Sequence, residues 1–341
     1  MAFLDFLHRA AAGHSLTAAE AEQAMGLILE GSASTAQIAA FLIALRMKRE
    51  SGGEILGFTR AMRGRCTRVE HTLGRATVLD TCGTGGDGLG TFNISTVAAL
   101  VAAAAGVKVA KHGNRSLTSH CGSADILEAL GVRITLSPEQ VGRCLAETGF
   151  AFLYAPLLHP AMKHAQPARA ELKLRTAFNL VGPLTNPAGA GSQLVGAPGE
   201  GDAELMAQAL SELETSRAFV VHGADGLDEI TTTAATIVFA VKPGEVVRLM
   251  VTPEDFGVPR ANIRDLQASD IGDNVRIARS VLAGESGPHR DIVLVNASAA
   301  LVATGRAASW KDGVAQAEVA IDSGAARKLL DRLVRFSTHA D

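Results

Sequence analysis

The sequence predicts an α/β protein with a small N-terminal helical domain and a larger α/β domain, whose mostly parallel central sheet is flanked by helices. Three observations predict it. Helix-capping signatures recur through the first seventy residues, short β-type runs alternate with Ala-rich helical stretches after residue 73, and Gly-rich segments follow the first of those runs. The 341 residues accommodate two or three core-forming units, and a composition 47% hydrophobic and 20% charged can bury a large core.

The elements follow in order. Thr17 with Glu20, Ser34 with Gln37, and Ser51 with Glu54 each place a hydroxyl three residues before a Glu or Gln, ahead of a helical apolar pattern. Residues 1–72 therefore form the helical domain. At TVLD the pattern turns β-like, and residues 73–341 form the α/β domain. Candidate strands are 76–80, 107–110, 151–154, 193–195, 218–221 and 246–250, with helices between most of them. The stretch near 160–186 is rich in helix formers and Pro and interrupts this alternation. It is expected to return to the helical domain and leave a cleft between the two units.

Composition narrows the function. With 32 Lys+Arg against 35 Asp+Glu, a net charge of −3 argues against a protein built to coat nucleic acid. The aromatic content is 4%, and the single Trp310 and Tyr154 argue against stacking platforms. Cys66, Cys82, Cys121 and Cys144 form no CxxC pair and no zinc-ligand spacing, so a reduced, cytoplasmic setting is expected. The opening MAFLDFLHRAAAG lacks the pattern of a secretory leader, and the apolar stretch 97–107 is too short to span a bilayer.

Chemistry concentrates in three places. After the first strand, Gly83 to Thr91 is almost entirely glycine and threonine, and a helix opens near Ser95 and Thr96. Backbone amides in such a loop, with a helix N-terminus behind them, suit phosphate oxygens; the bland alternative is a set of tight turns. Gly83–Gly88 spells GxGxxG, yet no acid for a ribose lies between Asp87 and Asp125, and no GxxxxGK[ST] occurs. That interval holds Lys108, Lys111 and Arg115, with His112 and His120, which favours a phosphate-rich ligand over a dinucleotide. After the second strand, Lys111 and Arg115 supply cationic donors, Asn114 and Ser119 neutral ones, and Gly113 a close backbone approach. In HGADGLDEITTT, Asp228 and Glu229 are adjacent hard-oxygen donors able to hold Mg²⁺, Asp225 serves the turn, and His222 reads as a packed or turn histidine.

GTGGDGLGTFNIST, KHGNRSLTSHCGSADILEALG, HPAMKHAQPARAELKLRTAFNLVGPLTNP and VHGADGLDEIT resemble the anthranilate phosphoribosyltransferase family of tryptophan biosynthesis. ALRMKRESGGEILGFTRAMR resembles its N-terminal hinge region, so the likeness covers nearly the whole chain. The resemblance implies the fold shared with pyrimidine nucleoside phosphorylases, and transfer of a phosphoribosyl group from phosphoribosyl pyrophosphate to anthranilate. It implies that Gly83, Gly86, Asp87, Thr91, Asn93, Ile94, Ser95 and Thr96 hold the sugar pyrophosphate. It implies the same for Lys111, His112, Gly113, Asn114, Arg115, Ser119 and Ser123. Gly83, Asn114 and Arg169 would meet anthranilate, and Ser95, Asp228 and Glu229 would contact Mg²⁺. No covalent nucleophile is implied, and His112 is a candidate base. Ala170 and Leu117-Thr118 depart from the family pattern along the substrate channel. A homodimer through the helical domain is implied, with Ile28, Leu29, Phe41 and Leu42 serving either that contact or internal packing. The rival activity on this fold is nucleoside phosphorolysis, which Arg169 and the Asp228-Glu229 pair do not serve. Nucleic-acid-binding relatives of the fold are disfavoured by the intact KHGNR and DE strings. No nucleic-acid or membrane partner is expected.

Overall fold

A computed structural model describes residues 2–74, 77–116 and 121–340. The chain opens with α1 (Phe3–Ala11), α2 (Ala18–Leu29), α3 (Thr35–Lys48) and α4 (Gly52–Arg63). All three capping boxes form, each hydroxyl accepting the N–H three residues on. Glu54 does more than cap. Fully buried, its carboxylate accepts from the Leu16 and Ser51 amides at 2.9 and 2.8 Å and pairs with Lys48 Nζ at 2.6 Å, tying α4 to the entry of α2.

The α/β part runs β1 (Val78–Gly83), α5 (Ile94–Ala104), β2 (Lys108–Gly113), α6 (Ser123–Ala129), α7 (Pro138–Thr148) and β3 (Phe150–Tyr154). Short helices α8 (Ala155–Leu158), α9 (Gln166–Leu172) and α10 (Ala177–Val181) follow. Then come β4 (Ser192–Gly196), α11 (Glu200–Ser211), β5 (Arg217–Gly223), β6 (Thr236–Lys242) and β7 (Glu245–Val251). The chain closes with α12 (Pro253–Phe256), α13 (Ile271–Leu282), α14 (Pro288–Ala303), α15 (Trp310–Asp322) and α16 (Ala325–His339).

The sheet order is β3-β2-β1-β4-β5-β6-β7, parallel through β5 and antiparallel for β6 and β7. Each of the six expected strands is present. The sequence reading missed β6, although β6 and β7 flank a Pro-Gly turn with the alternation of a hairpin. The first strand also ends later than expected, so Gly83 is its last residue and not a loop residue. Because β2 and β3 lie on one side of β1 and β4 on the other, the connections diverge between β1 and β4. That switch point opens a crevice at the carboxyl ends of the strands.

Alternate side chains of β4 and β5 feed two cores. Leu194, Phe219 and Val221 join α5, α7 and α13–α16, while Val195, Ala218 and Val220 join α11 and the N-terminal helices. Ala165, Ala168, Ala177 and Phe178 of the 160–186 stretch share this second core with Phe6, Phe41 and Phe58. Ile28, Leu29, Phe41 and Leu42 are buried there as well, at 4% exposure or less, which settles their alternatives in favour of internal packing. Among the described residues, no helix is long and apolar enough to cross a membrane.

Candidate active site

The glycine loop leaves β1 at the switch point. Gly85, Gly86, Gly88 and Gly90 have φ between 65° and 80°, a region side-chain-bearing residues rarely enter. Its far end is clamped by Phe92 N–H to the Leu266 carbonyl at 3.0 Å and Ala268 N–H to the Gly90 carbonyl at 2.9 Å, beside a Thr91–Gln267 bridge. Ile94 then begins α5, whose N-terminus faces the end of the loop. Asn93 and Thr96 are engaged in bracing. Asn93 Nδ2 donates to the Cys121 carbonyl at 2.8 Å, its N–H donates to Asn274 Oδ1 at 2.9 Å, and Thr96 Oγ1 donates to Asn93 Oδ1 at 3.0 Å.

Lys111 departs from its expected place in a loop. It lies inside β2, almost fully buried, and its ammonium donates to the Thr81 carbonyl and, at 3.2 Å, to Ser95 Oγ. Burial lowers its pKa, and the charge of Asp80 acts in the opposite direction. Asp80 is the hub of this buried layer. It accepts the His112 N–H at 3.0 Å, Asn186 Nδ2 at 2.8 Å and the Cys82 thiol at 3.4 Å, while burial pushes its carboxyl up to about 6. His112 and His159 meet through their Nε2 atoms at 3.2 Å. Desolvation holds His112 well below the usual imidazole value and His159 down to about 4, so both rings are neutral at pH 7.

Across the crevice, the turn after β5 presents Asp228 and Glu229. The carbonyl of Asp228 passes so close to Gly196 that a Cβ there would sit 1.6 Å from it, and glycine alone fits. Asp228 Oδ2 accepts the Gly85 N–H at 2.9 Å. Burial, then the charge of Asp87, pushes Asp228 up to about 7; burial, then Asp228, pushes Glu229 up to about 8. Asp87, Asp228 and Glu229 thus face one another at the mouth of the glycine loop, and the shared negative charge makes Asp228 and Glu229 reluctant to ionise. This hard-oxygen set fits a hydrated Mg²⁺, which keeps several waters and needs only one or two carboxylates. Among the described residues, no group of three or more His, Cys, Asp or Glu side chains is arranged to hold a metal ion unaided, so waters and substrate oxygens would have to complete its shell. His222 and Asp225 serve the turn itself: His222 Nδ1 lies 3.1 Å from the Ala197 carbonyl, and Asp225 accepts from Thr231 and Thr233.

In the second loop, Gly113 abuts Ser123, whose hydroxyl lies where a Cβ would fall. Ser123 Oγ donates to the Asn114 carbonyl at 3.4 Å, and exposed Asn114 Oδ1 accepts the Arg115 N–H at 2.7 Å. Arg115 differs from expectation: it is paired with Asp125 at 3.0 Å and Glu128 at 2.8 Å, so its charge is already matched at the loop's outer edge. Ser119, like Leu117, Thr118 and His120, lies outside the described residues.

Two arginines come from the stretch that interrupts the alternation. Arg169, on α9, stacks its guanidinium 5.2 Å from the Phe178 ring centroid. No ion pair engages it among the described residues, and burial lowers its pKa from its ordinary value. Arg175 reaches the glycine loop: Nη1 donates to the Gly85 carbonyl at 2.6 Å and Nη2 to Thr84 Oγ1 at 3.1 Å.

Residues 75–327 match the family model described as glycosyl transferase family, a/b domain, and residues 4–66 match the helical bundle domain of the same family. The chain is 58% identical over 337 residues to an anthranilate phosphoribosyltransferase of Solibacter usitatus, covering 99% of each. It is 53% identical to that of Moorella thermoacetica over 97% of each. The chain belongs to the anthranilate phosphoribosyltransferase family. Among solved members of the family, the Thermus thermophilus structure superposes with a TM-score of 0.92 at 43% identity, over 98% of this chain and 99% of that one. The Saccharomyces cerevisiae enzyme in complex with PRPP and Mg gives 0.89 at 27% identity, over 98% of both chains.

Within this family member, sequence reading missed Asp80, His159, Arg175 and Asn186. Asp80 ends the TVLD run and reads as a strand residue, and nothing local marks it as the partner of Asn186, which is 106 positions on. The pairing of β1 with β2 beside the return segment links Asp80, through His112, to His159 and joins it to Asn186, while Arg175 reaches the glycine loop separately.

Proposed function

We propose that this chain transfers the 5-phosphoribosyl group of phosphoribosyl pyrophosphate to the amine of anthranilate, releasing pyrophosphate, in tryptophan biosynthesis. The observation that carries the reading is full-length identity of up to 58% with relatives so named. In the reaction, the bond from the anomeric carbon to the pyrophosphate oxygen breaks with its electrons leaving on pyrophosphate. A carbon–nitrogen bond forms, and the aromatic amine loses one proton. Such glycosyl transfer passes through an oxocarbenium-like state, so the site must stabilise a departing anion and shield the ring from water.

Gly83 at the end of β1 and Gly86, Asp87 and Thr91 of the glycine loop, with the α5 N-terminus at Ile94 and Ser95, would cradle the pyrophosphate through amides and hydroxyls. Asn93 and Thr96 would shape that cradle through the bonds they already make. Lys111 would contribute its charge from below, through Ser95. Gly113, Asn114, Ser119 and Ser123 would take the ribose and its 5-phosphate, with Arg115 shaping the loop. Asp228, Glu229 and Ser95 would hold Mg²⁺, directly or through its waters; when bound, the ion supplies electrostatic stabilisation of the leaving pyrophosphate. Arg169 would grip the anthranilate carboxylate, aided by Gly83 and Asn114, so that the amine points at the anomeric carbon. A neutral aromatic amine needs no strong base to attack, and His112, neutral beside His159, can accept a proton but is not required to.

A second copy of the chain is the expected partner, and an open apolar groove lined by Ile43, Met47 and Leu172 suits it. Met47, 79% exposed, is the most accessible large apolar side chain of the described residues. The four free thiols support a cytoplasmic setting. The reaction is tested by following loss of anthranilate fluorescence with phosphoribosyl pyrophosphate and Mg²⁺, with and without chelator. No fluorescence loss and no pyrophosphate in the complete mixture would overturn the reading.

A further inference from the structure

We infer that Arg175 is a positioning residue: by holding the Gly85 and Gly86 carbonyls it aims the glycine-loop amides that receive the pyrophosphate. The inference rests on the reaction proposed above for what those amides bind, but its geometry stands apart from it. Gly85 is held from two sides, its N–H by Asp228 Oδ2 at 2.9 Å and its carbonyl by Arg175 Nη1 at 2.6 Å. The same nitrogen lies 3.4 Å from the Gly86 carbonyl, and Nη2 donates to Thr84 Oγ1 at 3.1 Å. In a trans peptide the carbonyl and the following N–H point in opposite directions. Drawing the Gly85 and Gly86 carbonyls toward Arg175 therefore turns the Gly86 and Asp87 N–H groups away from it, free to meet an anion.

The loop is shaped to this arginine. Gly86 has φ of 80°, and a Cβ there would lie 2.9 Å from Arg175 Nη1. A guanidinium presents several donors in a fixed fork, so one side chain can span Thr84, Gly85 and Gly86; a lysine ammonium, one point on a flexible stem, is poorly matched to that span. No carboxylate forms an ion pair with Arg175 among the described residues, so its hydrogen-bonding capacity goes to the loop. Its own carbonyl accepts from the Arg46 guanidinium of α3. The loop's conformation is thereby tied to the helical bundle through one residue of the return segment.

The test compares wild type, Arg175→Ala and Arg175→Lys in full-length protein by steady-state kinetics and by amide hydrogen exchange without substrates. We expect Arg175→Ala to raise the KM for phosphoribosyl pyrophosphate by about tenfold or more while leaving that for anthranilate within about twofold. Exchange should quicken at residues 86–89 but not in β1 or α5, and Arg175→Lys should recover neither property. A sugar-pyrophosphate KM within about twofold of wild type would overturn the inference. So would a raised KM with unchanged loop exchange, which would make Arg175 a direct ligand. Wild-type protein that fails to consume anthranilate would sink the proposed reaction instead, and the exchange comparison would still decide whether Arg175 orders the loop.

Discussion

Arg169 is half-buried, with its guanidinium over Phe178 and no carboxylate partner among the described residues, the state expected of a cation kept for a ligand's carboxylate. Arg169→Ala should raise the anthranilate KM by about tenfold or more and that of the sugar pyrophosphate much less. Equal rises in both would refute the assignment. Asp228 and Glu229, pushed up to about 7 and 8, carry a signed consequence for pH. Both values lie above those of an unfolded chain, near 4, so from roughly pH 4 upward the folded protein keeps protons the unfolded chain has released. Their contribution is therefore harmless at low pH and becomes destabilising as pH rises to the folded values. In metal-free protein, Tm should fall across that window, and the gain from added Mg²⁺ should be greater at about pH 8 than at about pH 5.5. The Asp228→Asn/Glu229→Gln double variant should flatten both trends; Tm curves that overlay wild type would take these carboxylates out of the metal site. The acid pair was visible in the sequence as a possible metal site, and Arg169 was singled out through the family resemblance, since one arginine in a helix carries no local mark of its role. Arg115 was legible only by type: the sequence shows a cation in a loop, and the fold spends it on Asp125 and Glu128.

At the scale of elements, the site depends on how closely the turn carrying the acid pair lies against β4. Gly196→Ala would drive a methyl into the Asp228 carbonyl, so the turn must move. We expect activity to drop by about a hundredfold or more while the helical bundle stays folded, a geometric penalty of the kind that small misplacements impose. A Gly196→Ala enzyme with wild-type turnover and Mg²⁺ titration would show that the turn's position is unimportant. Glu54 supplies the parallel case in the bundle. Glu54→Ala removes the carboxylate partner of Lys48, which keeps only its bonds to Ser15 and the Arg49 carbonyl, and strips two amides of their acceptor; it should cost about 3 kcal/mol of stability, read by denaturant unfolding. A loss under about 1 kcal/mol would mean that water replaces the carboxylate at little cost. Capping boxes were readable because a hydroxyl and a Glu or Gln three residues apart serve the same turn. The additional Leu16 contact was not, since it joins residues 38 positions apart.

For the whole molecule, one core joins the bundle, the return segment, α11 and one face of the sheet, so the crevice walls share a hydrophobic foundation. A pair of copies meeting at the groove of Ile43, Met47 and Leu172 would cover that open apolar surface. Light scattering should report a dimer for wild type and a monomer for Met47→Asp; an unchanged dimer in the variant would move the interface elsewhere.

The sequence by itself determined the class of fold, the three capping boxes, the phosphate-suited glycine loop and the acid pair. All of these are written in contiguous residues whose spacing matches a turn of helix, a strand or a loop. Only the tertiary structure decided that Lys111 lies buried beneath Ser95, that Asp80 gathers His112 and Asn186, that His112 meets His159, and that Arg175 grips the loop before α5. Those arrangements join residues tens of positions apart. Their energies come from desolvation and from hydrogen bonds across strands and the return segment, and no local pattern encodes either until the sheet order has placed the partners side by side.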